Sequence, residues 1–246
     1  FAGCRVLTLN VPHGKIEPES LLQVADGHGP PHQSQARVLS ITQATELGTI
    51  YTPDEIRQLA DAAHERDWLL HMDGARLANA AAALELPLRA VTSDAGVDLL
   101  SFGGTKCGLL GGEVVLTMTE GLAPHMPYTR KQGLQLASKM RFLSAQFLAL
   151  LADELWREMA RHANSMARRL RDEVQDLAGL EIIHPQESNA VFVRLPAAAL
   201  ARLQSEWRMA LWDAGACEVR WMASWDTTPG DVDDFVAAIR TALTAD

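Results

Sequence analysis

The chain has 246 residues, 48% of them hydrophobic and 22% charged, with ordinary counts of 17 Gly and 11 Pro. Such a chain carries enough apolar surface to bury a core, which excludes a disordered, collagen-like or low-complexity protein. Its formal net charge of −9 gives it no general attraction for nucleic acid. No apolar run approaches the roughly 20 residues of a membrane span, so no membrane partner is expected.

In chain order, residues 6–11 read as a strand, 18–25 as a short helix and 38–42 as a second strand. Thr52-Pro53-Asp54-Glu55 is a helix start, with a Thr cap, Pro at the first position and Glu three residues after the cap. The helix is expected to run to about Arg66, with Ile56, Leu59, Ala60 and Ala63 on one apolar stripe. Residues 68–72 form a buried strand, 77–84 an Ala-rich helix, 97–102 another buried strand and 113–118 a further one. Strands alternating with helices imply βαβ units and a mostly parallel sheet. Ligands of such sheets sit beyond the carboxyl ends of the strands, where Asp73 and Lys106 would both project.

Residues 139–177 keep helical spacing for an unusually long stretch, and a helix of that length links two domains. After it the pattern starts afresh. Strands are expected at 180–183, 190–195 and 218–223, and helices at 197–212 and 229–243, the last capped by Thr228. The boundary falls inside the long helix, dividing the chain into 1–157 and 158–246. Cys4, Cys107 and Cys217 are odd in number and far apart, which is neither a disulfide framework nor a metal site. A reducing, cytoplasmic setting is expected.

Several residues could carry chemistry. Lys106 follows two glycines at the end of a buried strand, where burial would free its amine to attack carbonyls. Taken alone it reads more simply as a surface lysine in a βα loop. Asp73 could pair with a protonated pyridine nitrogen, as in pyridoxal phosphate enzymes, or could cap the Ala-rich helix. Arg76 could grip a carboxylate or face solvent, and Arg220 is an Arg on an otherwise apolar strand. His71 shares a strand face with Asp73 and reads as a core histidine bonded to backbone, while Ser101 and Thr105 could donate to a phosphate or cap turns. Tyr51, Tyr128 and Cys107 carry no decisive signal.

The stretches His71-Met72-Asp73-Gly74-Ala75-Arg76-Leu77 and Ser101-Phe102-Gly103-Gly104-Thr105-Lys106 are specific in combination, with Lys106 33 positions after Asp73. The chain resembles the low-specificity L-threonine aldolases, within the β-eliminating lyase group of fold-type I pyridoxal-phosphate enzymes. Residues 130–132, 138–142 and 224–228 also look like this family, so the resemblance covers essentially the whole chain. It implies part of a large cofactor-binding domain followed by a small C-terminal α/β domain. It implies that Lys106 binds pyridoxal 5'-phosphate covalently, that Asp73 pairs with the ring nitrogen, and that Arg76 and Arg220 hold an amino-acid carboxylate. Arg141 would reach a neighbouring subunit's cofactor phosphate in a homodimer or homotetramer. The implied reaction cleaves L-threonine, or a related β-hydroxy-α-amino acid, to glycine and an aldehyde. Two departures stand out. Gln43-Ala44-Thr45-Glu46 replaces the family's Asn-Thr-His-Asn loop, which leaves the general base open and keeps β-elimination as an alternative. The family's N-terminal arm, Gly/Thr phosphate turn and stacking His are not seen in this sequence. It therefore reads as N-terminally truncated: the larger C-terminal part of an aldolase or, as an alternative, a non-catalytic fragment that binds the cofactor weakly.

Overall fold

The structure is a computed structural model and describes residues 3–24, 31–32 and 34–244. Strands β1 (Val38–Thr42), β2 (Leu69–Gly74), β3 (Leu99–Gly103) and β4 (Glu113–Thr117) form one sheet in that order. The first three are parallel, and β4 joins β3 antiparallel. The reversal at β4 follows from the short connection, since a parallel return would need a crossover of a dozen or more residues.

Helix α1 (Pro53–His64) starts at the expected capping box: the Thr52 hydroxyl accepts from the Glu55 amide and the Glu55 carboxylate accepts from the Thr52 amide. Its stripe Ile56, Leu59, Ala60 and Ala63 is fully buried. Helix α2 (Leu77–Ala83) follows β2. Both helices belong to one core with Leu39, Ile41, Leu70, Met72, Leu100 and Phe102, which alternate along the strands onto the buried face of the sheet. The other face is polar at its centre and carries Ser40, Thr42, His71, Asp73 and Ser101, aligned across β1–β3.

After α3 (Met126–Gln132) come α4 (Arg141–Leu151) and α5 (Leu155–Val174). The single long helix read over 139–177 is thus two helices. Asp153 and Glu154 take left-handed backbone angles between them, with φ of 49° and 58°. The break leaves no trace in periodicity because Phe147 and Leu150 before it and Trp156 and Ala160 after it enter the same core. Further along α5, Ala167, Leu170 and Val174 enter a second core. A reciprocal pair of hydrogen bonds between Asn79 and Asn164 binds α2 to α5, the Asn79 amide donating to Asn164 Oδ1 at 3.1 Å and the Asn164 amide to the Asn79 carbonyl at 2.9 Å.

The second sheet is antiparallel in the order β5 (Glu181–Ile182), β6 (Ala190–Arg194), β8 (Glu218–Met222), β7 (Ala210–Asp213). Helices α6 (Ala197–Glu206) and α7 (Pro229–Thr244) close its core, and Thr228 caps α7 with Asp231 as expected. The helix read over 197–212 stops at Glu206, because Trp207 turns extended and packs on Phe235 with ring centroids 4.9 Å apart. Strand β7 then forms where helix was expected. Its four residues are all exposed, so it has no apolar alternation to read.

Residues 6–11 are not a strand. Val6 and Leu7 are exposed, no ladder pairs them, and only Leu9 packs against the core. Residues 18–23 form a short 3-10 helix instead of an α-helix; Ala25, the expected end, lies outside the described residues, as do Phe1 and Ala2. Among the described residues no helix is long and apolar enough to cross a membrane.

Candidate active site

The carboxyl ends of β2 and β3 meet. A Cβ on Gly103 would stand 2.9 Å from Ala75 Cα, and one on Gly74 would stand 2.8 Å from Leu100 and 3.0 Å from the Ser101 carbonyl. Only glycine lets the two strand ends approach this closely. Asp73, one residue before the end of β2, is half-buried, and its Oδ1 accepts from the Ala75 amide at 2.9 Å, which fixes the carboxylate at the sheet edge. Lys106 sits in a one-turn 3-10 helix (Thr105–Cys107) between Gly104 and Gly108, the latter left-handed with φ of 95°. The Lys106 side chain is exposed. The exposure matches the simpler reading of Lys106 as a surface lysine, here in the turn between β3 and β4 and not in a βα loop.

Glu113 opens β4 opposite Gly103 and joins these two. Burial raises its carboxyl above the usual range; the Lys106 ammonium opposes that rise and the Asp73 carboxylate adds to it. Lys106, Asp73 and Glu113 thus share one electrostatic neighbourhood.

Arg76 precedes α2 and is half-buried. Its guanidinium is pushed below its usual range by burial and by the like charge of Arg220, while Asp73 and Glu46 act in the opposite direction. Arg220, from the second sheet, is therefore brought to the edge of the first. Its Nε is buried with no hydrogen-bond partner, and its guanidinium lies 5.3 Å over the Trp212 ring. A buried, unpaired donor of this kind is costly unless a ligand satisfies it.

Arg141 stands apart from this cluster. It is exposed at the start of α4, with its guanidinium 4.9 Å over the neighbouring Phe142 ring. His71 is bonded to side chains and not to backbone: its Nδ1 lies 2.9 Å from Ser40 Oγ and its Nε2 3.1 Å from Ser101 Oγ. Burial holds its pKa below the usual value, with Asp73 opposing. Ser101 is thereby engaged, and Thr105 Oγ1 accepts from the Gly112 amide, so both hydroxyls hold the site's own frame. Tyr51 is buried, its hydroxyl takes the Ile16 amide at 2.6 Å, and burial pushes its pKa up to about 12. Cys107 is likewise buried, with a pKa raised to about 11. Both are structural. Sequence reasoning missed Glu113 and Trp212; a charged residue directly after Gly111-Gly112 at a strand start was the available signal for the first.

A primary amine can bond a carbonyl carbon, and two guanidiniums near a half-buried carboxylate can grip an amino-acid carboxylate. The profile of the beta-eliminating lyase family matches residues 1–198, and the chain belongs to that family. Within it, the chain is 41% identical over 244 residues to the low specificity L-threonine aldolase of Pseudomonas sp. (strain NCIMB 10558), covering 99% of this chain and 70% of the relative. The Leishmania major threonine aldolase structure superposes with a TM-score of 0.90 at 27% identity, covering 98% of this chain and 71% of that one. The Oryza sativa TDC structure with PLP shares the fold, with a TM-score of 0.67 at 15% identity over 93% of this chain and 52% of that one. The architecture is thus that of fold-type I pyridoxal-phosphate enzymes. The donor set here fits pyridoxal 5'-phosphate, the group named in that Oryza sativa structure, with an amine for its aldehyde and an acid for its ring nitrogen.

Proposed function

We propose that this chain is an aldolase that cleaves L-threonine and related β-hydroxy-α-amino acids to glycine and an aldehyde. The observation that carries the reading is the convergence of Asp73, Arg76 and Arg220 in a chain 41% identical to a low specificity L-threonine aldolase. Lys106 supplies the amine that bonds the cofactor's carbonyl carbon. Asp73 holds a proton at the ring nitrogen through its carboxylate, already oriented by the Ala75 amide. Arg76 and Arg220 grip the substrate carboxylate, which relieves the repulsion between the two guanidiniums and satisfies the unpaired Nε of Arg220. When bound, the cofactor supplies an electron sink for the bond that breaks.

Two units divide near Arg157, on the α5 segment where one core gives way to the other. The assembly is a homodimer or homotetramer, in which Arg141 reaches the cofactor phosphate of a neighbouring subunit. Exposed Val115 on β4, Leu110 beside it, and Phe142 and Leu148 on α4 support a subunit contact there. The free thiols of Cys4, Cys107 and Cys217 support a cytoplasmic setting.

The test is a product panel. Supplied with pyridoxal phosphate, the protein should release aldehyde and glycine from L-threonine and L-allo-threonine. Ammonia and a keto acid from the same substrates would instead assign it to β-elimination.

A further inference from the structure

The loop after β1 is built more rigidly than a connection requires. The Gln43 amide donates to the Asp73 carbonyl at 2.8 Å, which ties the loop to the end of β2. The buried Gln43 side chain clasps the backbone of Tyr51 in both directions, at 2.8 and 3.0 Å. Between them Thr45 and Thr49 pair backbone to backbone at 2.9 Å and hydroxyl to hydroxyl at 2.6 Å, and the Gly48 amide closes a turn onto the Thr45 carbonyl. The second unit holds the same loop, with Ser188 Oγ donating to the Gly48 carbonyl and the Ile50 amide to Glu187. At the turn, Glu46 is exposed, and its carboxylate acts on the Arg76 guanidinium. The frame thus holds the backbone of the Glu46 turn at the carboxyl end of β2, next to the segment that carries Asp73 and Arg76.

We propose that Glu46 takes the proton from the substrate's β-hydroxyl; the proposal rests on the aldolase reading above. Among the described residues no hydrogen bond or ion pair joins Glu46 to Arg76, so the Glu46 oxygens are open when a substrate carboxylate enters between Arg76 and Arg220. Only two bonds separate that carboxylate carbon from the hydroxyl-bearing carbon, so the hydroxyl comes within reach of Glu46. The other polar groups of the site are otherwise engaged. Glu113 lies at the Lys106 end, its Oε2 3.1 Å from where a Gly103 Cβ would stand. His71 is held between two serines, and the Thr45 hydroxyl is paired with Thr49. As Glu46 accepts the proton, the oxygen's electron pair forms the aldehyde C=O and the Cα–Cβ bond breaks. The pair of that bond stays with the α-carbon, which takes up a proton to leave glycine, and Glu46 returns its own proton to solvent.

The test compares wild type, Glu46→Gln and Glu46→Asp, each carrying its cofactor. Glu46 is exposed, so neither change disturbs the core. Turnover of L-threonine should fall about a hundredfold or more in Glu46→Gln, the usual range for losing a general base, and partly recover in Glu46→Asp. Glycine has no β-hydroxyl, and its affinity, measured by calorimetry on the cofactor-loaded protein, should hold or tighten in Glu46→Gln because a negative charge acting on Arg76 is gone. Wild-type cleavage matched by Glu46→Gln overturns the assignment alone. A loss of glycine affinity as large as the loss of turnover also overturns it, by making Glu46 a binding residue. Wild type that releases no acetaldehyde overturns the aldolase reading and this assignment with it.

Discussion

Arg220 lies with its guanidinium 5.3 Å over the Trp212 ring, and its Nε is buried without a partner. The indole face takes up the apolar plane of the guanidinium and leaves its N–H edge for a carboxylate. Lysine at this position keeps the charge and loses the planar fork. Hydrogen bonds to charged groups are worth about 1.5–3 kcal/mol, so Arg220→Lys should raise KM for L-threonine roughly tenfold to a hundredfold. Steady-state kinetics read this directly, and an unchanged KM would remove Arg220 from the substrate site.

Lys106 is proposed as the point of covalent attachment. Borohydride treatment followed by peptide mapping should place the reduced cofactor on the peptide holding Lys106, and Lys106→Ala should neither retain that mass nor turn over substrate. Modification found on Lys15 or Lys139 instead would relocate the attachment.

Asp98 predicts an acid-dependent stability. Its carboxylate resists burial, which would raise its pKa, but hydrogen bonds from Thr119 at 2.6 Å, from His64 at 2.8 Å and from the Leu70 amide at 2.8 Å bring it below the ordinary 3.8. A depressed folded-state pKa contributes stability above the unfolded value that is lost as pH falls through the folded one. Asp98→Asn should therefore be less stable than wild type in urea at pH 7, and the gap should close below about pH 4. A gap that persists unchanged at low pH would mean the charge of Asp98 is not what stabilises this corner.

The buried Asn79–Asn164 pair is the polar bond between α2 and α5. Asn79→Ala removes the donor to Asn164 Oδ1 and strands that buried acceptor, at about 1–3 kcal/mol, while the Asn164 amide keeps its bond to the backbone carbonyl of residue 79. For a chain of this size each kcal/mol lowers Tm by roughly 2–4 °C. Differential scanning calorimetry should show that loss for Asn79→Ala. Asn79→Leu, which fills space but still strands Asn164, should not restore it.

Much of this architecture is legible in the sequence, for reasons tied to burial. Strand β1, helix α1 with its Thr52 cap and helix α2 each carry an apolar period or a capping signal set by the core they face. The misses carry no such signal. Strand β7 is wholly exposed, and the break at Asp153 interrupts two helices whose apolar residues serve one core. The site divides in the same way. Asp73, Arg76 and Lys106 stand out through their neighbours in sequence, and Arg220 through its charge on an apolar strand. The proximity of Glu46 to Arg76 depends on a loop pinned by Asp73, Glu187 and Ser188, contacts that span as many as 140 positions and leave no local pattern. Exposure of Lys106 is likewise set by the turn geometry at Gly104 and Gly108 and not by composition.

The most direct measurement follows the carbon of uniformly 13C-labelled L-threonine by NMR with the cofactor-loaded protein. Aldol cleavage predicts equal amounts of two-carbon glycine and two-carbon acetaldehyde, with no labelled four-carbon product. Label retained in four-carbon 2-oxobutanoate, with ammonia released, would contradict the account.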